Sequence, residues 1–496
     1  MDDGRQPANL ADLVAEASAK VPLHVGTIDA SSSVSLTWPQ VDSAVTARAR
    51  ALLAGGLKRG DRVALRLPTG VEFVVALFGI LRAGGVAVPV GMDAAPREVR
   101  RQLEHSGATA GFGDLPGITA LDPSIDLAAG EPLAAVGGGE DLAVIAYTSG
   151  TGGEPRGAML SHRALLANAA QLTDLRPAPV TGTDRVLLTI PMSHAYGLSG
   201  LWQIAATGAT AVLLDKFTVD GALSLCEEHR VTVFIGVPAM YTALTAAGAD
   251  RLGEALATLR LCTSGAAPLP AAILRLFRAE TGLTVYEGYG LTETGPVLTS
   301  TLVGGNAKPG SVGRAIPGVE IRLVDSDGVP VDQADDDESI AMDFTDDSDT
   351  GLVAARGPNL FSGYWPDGAH GPDPDGWFRT GDVGYFDAEG DLHLVDRAGD
   401  LIIVNGFNVY PSEVEQAVGE LPQVAEVAAV GVPDERAGER VRVVVVLKPG
   451  ESLAEDALRA HCAERLARFK VPSVIEFAEA LPHSITGKLR RASLRG

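Results

Sequence analysis

Arg62-Val63-Ala64-Leu65-Arg66-Leu67, then Val71-Glu72-Phe73-Val74-Val75-Ala76-Leu77-Phe78-Gly79-Ile80-Leu81-Arg82-Ala83, then Val86-Ala87-Val88-Pro89-Val90 follow one another with short breaks. In the first run Val63, Leu65 and Leu67 alternate with other residues, the period of a strand. The second run has the length and helix-forming content of a buried helix, and the third is again a short strand. Strand, helix and strand in this order make a βαβ unit, and therefore two parallel strands.

The same alternation extends from about Leu10 to Asp396, with further apolar strands expected at Leu142 to Ala146, Val186 to Ile190, Ala211 to Leu214, Val231 to Ile235 and Leu259 to Thr263. Layered α/β subdomains with mostly parallel sheets follow. Beyond residue 397 the texture becomes small α+β, with a strand from Leu401 to Val404, a turn at Asn405-Gly406 and a helix opened by Ser412-Glu413-Val414-Glu415. That opening has the form of a capping box, Ser412 accepting from the first turn and Glu415 reaching back. Strands at Val424 to Val430, Val441 to Leu447 and Ser473 to Phe477, with a helix from Ala454 to Ala467, complete a domain of roughly 100 residues. The fold class is therefore α/β: a large N-terminal domain of residues 1–396, a hinge at 397–400 and a small α+β C-terminal domain of residues 401–496.

Composition narrows the function. The 496 residues carry 40 Lys+Arg against 63 Asp+Glu, a formal charge of −23, and 46% are hydrophobic. A nucleic-acid partner is excluded, because a polyphosphate backbone needs clustered cations. Cys226, Cys262 and Cys462 are too far apart in sequence for a C-x-x-C unit, and a reducing cytoplasm suits them. Met1 to Arg5 has no basic region leading into an apolar core, so no signal peptide is expected. The most apolar stretch, Val71 to Gly91, is broken by Glu72, Arg82 and Gly84-Gly85, leaving nothing near the about 20 residues that span a bilayer. Nine acids and no base lie between Asp332 and Asp349; removing them from −23 leaves −14 for the rest. Their spacing is not that of an EF-hand loop, and such a block is expected as a solvated loop.

Directly after the strand at Leu142 to Ala146 comes Tyr147-Thr148-Ser149-Gly150-Thr151-Gly152-Gly153-Glu154-Pro155-Arg156-Gly157. Glycines let consecutive N–H groups point inward, the hydroxyls of Thr148, Ser149 and Thr151 add donors, and Arg156 adds charge, a set suited to phosphate. On composition alone the same cluster reads as a surface turn. It is not a Walker A motif, since no Gly-Lys-Ser/Thr closes it.

The string resembles the phosphate-binding loop of the adenylate-forming superfamily, with Gly152 in place of the second Thr and Arg156 in place of Lys. Further strings resemble that family in the same order. Pro191-Met192-Ser193-His194-Ala195-Tyr196-Gly197 is similar to its aromatic motif and implies His194 beside the substrate carboxylate. Ser264-Gly265-Ala266-Ala267-Pro268 is similar to the turn packed against adenine. Gly288-Tyr289-Gly290-Leu291-Thr292-Glu293 implies Tyr289 stacked on adenine, Thr292 at the α-phosphate and Glu293 on Mg²⁺, roles that suit a π face and a hard carboxylate oxygen. Trp377-Phe378-Arg379-Thr380-Gly381-Asp382 and Asp396-Arg397 resemble the strings whose Asp and Arg hold the ribose. Gly399 stands at the usual hinge pivot, with Asp400 next to it as a substitute contact. Gly406-Phe407-Asn408 resembles the hairpin turned toward the thiol acceptor, and Thr486-Gly487-Lys488 the motif bearing the adenylation lysine.

This resemblance implies an AMP-forming acyl-CoA synthetase using ATP, Mg²⁺ and coenzyme A, with Lys488, His194 and Glu293 catalytic. Gly236, Ala239 and Gly265 are small and compatible with space for a medium- or long-chain fatty acid, and no charged residue occurs from Val233 to Met240 to meet an amino-acid ammonium. A fatty acyl-AMP ligase serving a carrier protein and a non-catalytic nucleotide-binding protein are the alternatives. Any thiol acceptor is expected from outside the chain.

Overall fold

The computed structural model describes residues 7–128, 130–149, 155–331, 350–397, 400–404, 407–434, 438–483 and 489–495. Its chain separates into two compact units: Met1–Ile321 with Ala355–Phe378, and Arg322–Ala354 with Arg379–Gly496.

The opening βαβ reading holds in the first unit. Strands Arg62–Arg66 and Val86–Pro89 pair in parallel, Arg62 opposite Val86, and the helix Val71–Arg82 joins them. Every residue of that helix except Glu72 is buried, as expected of a helix apolar on all sides. It packs on helix Trp38–Ala54, which begins with a capping box between Thr37 and Gln40. The buried Arg82 is neutralised by Asp42 Oδ1 at 2.6 Å and donates to Thr46 Oγ1 at 2.7 Å, so its charge is not left uncompensated.

Two sheets organise this unit. In the six-stranded sheet, Leu142–Ser149 is the last parallel strand and Pro155–Ser161 turns back against it, antiparallel. In the nine-stranded sheet, Val25–Asp29, Thr210–Leu213, Arg185–Leu188, Val233–Gly236, Leu261–Ser264 and Val285–Gly290 are neighbours in that order, all parallel. Beneath it lies a core containing Leu187, Val212, Phe234, Tyr241, Leu252 and Phe277. Parallel sheets demand cover on both faces, which explains why their strands read as unbroken apolar runs. Among the described residues no helix is long and apolar enough to cross a membrane.

In the second unit Asp382 to Phe386 pair antiparallel with Leu392–Arg397. The strands Ile402–Val404, Phe407–Val409, Gly438–Leu447, Val424–Asp434 and Val474–Phe477 form a separate sheet. Helices Pro411–Gly419 and Glu455–Ala463 cover it over Ile402, Val409, Val414, Val443 and Leu458. The expected capping box at Ser412 is absent. The helix starts two residues earlier, with Tyr410 at the cap position; Ser412 Oγ donates to Val395 O at 2.8 Å, and Glu415 Oε1 accepts from Ala429 N at 2.8 Å. Tertiary partners outcompete the local pairing because the Glu415 side chain is largely enclosed.

Candidate active site

In a parallel sheet, ligands collect beyond the carboxyl ends of the strands. The sequence motifs of the first unit lie at such ends. Leu142–Ser149 runs directly into residues 150–154, and Pro155–Ser161 leads out of them, with Thr148 paired to Arg156 and Ser149 to Pro155. The base of this loop is thus a closed two-stranded ladder. Gly150, Thr151, Gly152 and Gly153 themselves lie outside the described residues.

Beyond strand Leu261–Ser264, the turn through Gly265, Ala266 and Ala267 takes Ala266 to φ 68°. This non-glycine left-handed residue is held in part by Leu269 N, which donates to Glu287 Oε1 at 2.9 Å. Ser264 Oγ is buried and has no hydrogen-bond partner among the described residues. Burial pushes the Glu287 carboxyl up to about 7, only partly offset by the Leu269 bond.

Strand Val285–Gly290 alternates strictly, burying Val285, Glu287 and Tyr289 on one face. Gly288 and Gly290 fall on the other, and a Cβ on Gly290 would lie 1.8 Å from Pro296 O. The following single turn, Thr292–Thr294, is fastened from several directions: Phe361 N donates to Glu293 O at 2.9 Å, Asn359 Nδ2 to Thr294 O at 2.6 Å, and Asn168 Nδ2 to Val297 O at 2.9 Å. Glu293 is buried, and its Oε1 accepts from Tyr364 Oη at 2.6 Å. The Arg156 guanidinium sits 5.4 Å from the centroid of the same Tyr364 ring, within cation–π range. Burial and the neighbouring Glu293 raise the Tyr364 phenol well above its ordinary value, so it stays protonated and donates.

Tyr364 is the residue that sequence reasoning missed. It also lies opposite Ala158 in an antiparallel bridge, tying the strand that leaves the glycine-rich loop to the carboxylate turn. Its only trace in the sequence is an aromatic string, Phe361 to Trp365, too common a pattern to assign without its neighbours.

His194 caps helix Ala195–Thr207, its Nδ1 accepting from Tyr196 N at 3.4 Å. An imidazole that accepts at Nδ1 carries its proton at Nε2. Tyr196 Oη lies 3.3 Å from Thr263 Oγ1, and its ring occupies the space in front of Gly265, 3.1 Å from where a Cβ would stand. At Gly236 the corresponding position is 3.0 Å from both Phe234 and Tyr241. These two glycines are small because rings pack on them, which removes them as evidence for an acyl tunnel.

In the second unit Asp382, buried, pairs directly across from Arg397, so the two expected ribose residues share one register position. Val404 pairs with Phe407 and Ile403 with Asn408 in the hairpin. Gly399, Gly406 and Lys488, like the acidic segment 332–349, lie outside the described residues.

As for a divalent metal, a carboxylate has about four lone-pair sites, so Glu293 can accept from Tyr364 and still offer hard oxygen to a cation such as Mg²⁺.

Comparison with known proteins places the chain in a family. Residues 14–365 match the family model for AMP-binding enzymes, and residues 413–488 match that for the AMP-binding enzyme C-terminal domain. The chain is 33% identical to the long-chain-fatty-acid–CoA ligase of Escherichia coli O157:H7, over 89% of this chain and 86% of the relative. It is also 33% identical to the long-chain-fatty-acid–CoA ligase FadD13 of Mycobacterium tuberculosis H37Rv, over 94% of each. The crystal structure of ATP-bound MatB from Rhodopseudomonas palustris matches with a TM-score of 0.87, 33% identity and 98% of both chains covered. The chain belongs to the AMP-binding enzyme family, within the adenylate-forming superfamily. It falls in the acyl-CoA synthetase branch, as an AMP-forming acid–thiol ligase.

Proposed function

We propose that this enzyme activates a medium- or long-chain fatty acid as its acyl adenylate, releasing pyrophosphate, and then passes the acyl group to coenzyme A in the cytoplasm. The observation carrying this reading is the cluster of Arg156, Tyr364 and Glu293, which brings a fixed cation and a hard, buried carboxylate together beside the glycine-rich loop. The names of the relatives support a fatty acid, as does the uncharged run from Val233 to Met240.

In the first step a substrate carboxylate oxygen attacks the α-phosphorus of ATP, and the bond to the β-phosphate breaks. Little covalent work falls to the protein, so rate comes from alignment and charge stabilisation. Mg²⁺ held by Glu293 would neutralise charge on the departing pyrophosphate. Thr148, Ser149 and Arg156, with the loop Gly150 to Gly153, cradle the phosphates. Tyr289 and the turn Gly265 to Ala267 hold adenine, Gly288 and Gly290 let strand and base approach, and Thr292 meets the α-phosphate. Asp382 and Arg397 hold the ribose, His194 borders the carboxylate, and Lys488 bridges carboxylate and α-phosphate oxygens. Rotation at residues 397–400, around Gly399 and Asp400, then withdraws Lys488 and presents Gly406, Phe407 and Asn408. The coenzyme A thiolate attacks the acyl carbonyl, the mixed anhydride C–O bond breaks, and AMP leaves.

Pyrophosphate exchange over a panel of aliphatic, aryl and amino acids, followed by product analysis with and without coenzyme A, tests this. Exchange with fatty acids and a coenzyme A-dependent thioester is the expected result. Adenylate that never becomes thioester would transfer the assignment to a carrier-protein ligase, and ATP binding without exchange would reject catalysis.

A further inference from the structure

The second unit contains a chain of alternating charges that neither half-reaction above accounts for. Arg491 donates to both oxygens of Glu415, at 2.9 and 2.7 Å, and its Nη1 lies 3.9 Å from Asp400 Oδ2. Arg495 donates to Asp400 Oδ1 at 2.9 Å. Glu415 also receives Ala429 N, and Asp396 Oδ2 receives Ser412 N at 2.9 Å. The side chains of Arg491, Glu415 and Asp400 are 21%, 18% and 24% exposed, sheltered enough for a two-pronged Arg–carboxylate pair to fix geometry.

These contacts join three places: the end of the hinge at Asp400, the helix Pro411–Gly419, and the short C-terminal turn Arg491–Leu494. The turn begins three residues after Lys488. The base of the segment carrying that lysine is tied down as well, since His483 bridges Leu489 and Arg490 N donates to Pro482 O at 2.8 Å. Arg490 alone separates the bridged Leu489 from Arg491 and its charge chain.

We infer that Arg491, Asp400 and Glu415 are positioning residues for adenylation: they tie the turn that follows Lys488 to the hinge end at Asp400 and to helix Pro411–Gly419. The inference rests on the role given to Lys488 above. It also assigns to Asp400 the side-chain contact that Gly399 lacks. Leu489 and Leu494 pack on Ala428, Val444 and Leu481 independently of the charges, so losing one ion pair leaves the turn anchored.

The experiment measures pyrophosphate exchange at saturating ATP, KM for ATP, and thioester formation from supplied acyl adenylate and coenzyme A. It compares the wild type with Arg491→Ala, Arg491→Lys, Asp400→Asn and Lys488→Ala in the full-length enzyme. Arg491→Ala and the isosteric Asp400→Asn should slow exchange by about tenfold or more, as small misplacements of a catalytic group do, with Arg491→Lys intermediate. In the two Arg491 variants KM for ATP and thioester formation should stay within about twofold, since neither requires the lysine in place. A parallel fall in both half-reactions in Arg491→Ala, or unchanged exchange in Asp400→Asn while Lys488→Ala is inactive, overturns the inference alone. Wild-type exchange in Lys488→Ala overturns the underlying reading instead.

Discussion

Tyr364 Oη donates a 2.6 Å hydrogen bond to Glu293 Oε1, linking the turn after strand Val285–Gly290 to the strand that leaves the glycine-rich loop. The bond orients the carboxylate and leaves its other oxygen for a cation. Replacing Tyr364 by Phe removes one charge-assisted bond while keeping the ring against Phe361, which lies 5.1 Å away centroid to centroid. Such a bond is worth about 1.5–3 kcal/mol, so kcat/KM for MgATP in pyrophosphate exchange should fall by roughly 10- to 100-fold. Unchanged kinetics and Mg²⁺ dependence would show that Glu293 needs no such support.

Arg156 lies over the same ring, its guanidinium 5.4 Å from the centroid. Lysine at this position keeps the charge but replaces a planar fork with a compact ammonium, which stacks less well on an aromatic face. Arg156→Lys should therefore retain most exchange activity, while Arg156→Ala should lose about tenfold or more in kcat/KM for ATP through the missing phosphate charge. Equal losses in the two variants, measured by the same exchange assay, would mean that the fork and not the charge is what matters.

The layered α/β architecture was legible because its signals are local. Val63, Leu65 and Leu67 alternate, the helix from Val71 is apolar but for Glu72 and Arg82, and both signals follow from neighbours in the chain. The candidate site could be proposed as a set of strings, since each motif is contiguous in the chain. What could not be read was pairing across distance. Ser412 and Glu415 have the spacing of a capping box, yet their partners Val395, Ala429 and Arg491 lie 14 to 76 residues away. Gly236 and Gly265 suggested open space, and only the fold shows the rings of Phe234, Tyr241 and Tyr196 against them. Tyr364 is 71 residues from Glu293, and no local pattern marks it as that carboxylate's donor.

Gly290 is constrained by space and not by backbone torsion. A methyl carbon at this position would stand 1.8 Å from Pro296 O, and because that contact is with backbone, no side chain can swing away to relieve it. Gly290→Ala must push apart the pairing of Gly290 with Val297 and shift Tyr289 beside it. A loss of about 2–4 kcal/mol is expected, read as a lower midpoint in thermal or urea unfolding, with weaker ATP binding in whatever remains folded. Wild-type stability would show that the strand and the turn after it can separate freely.

Glu287 should give the protein a pH-dependent stability of defined sign. Burial raises its carboxyl from the ordinary 4.5 to about 7, so between those values the folded protein holds a proton that the unfolded chain has released. Stability from this group is therefore fully present below about 4.5 and is lost as pH rises toward 7, by at most about 3 kcal/mol. Glu287→Gln keeps an oxygen for Leu269 N while removing the ionisation. Its unfolding midpoint should exceed that of the wild type at pH 8 and converge with it near pH 5, whereas Glu287→Ala, which frees Leu269 N, should be less stable than Glu287→Gln at both. A wild-type advantage over Glu287→Gln that grows with pH would reverse the sign and place a cation beside Glu287 in solution.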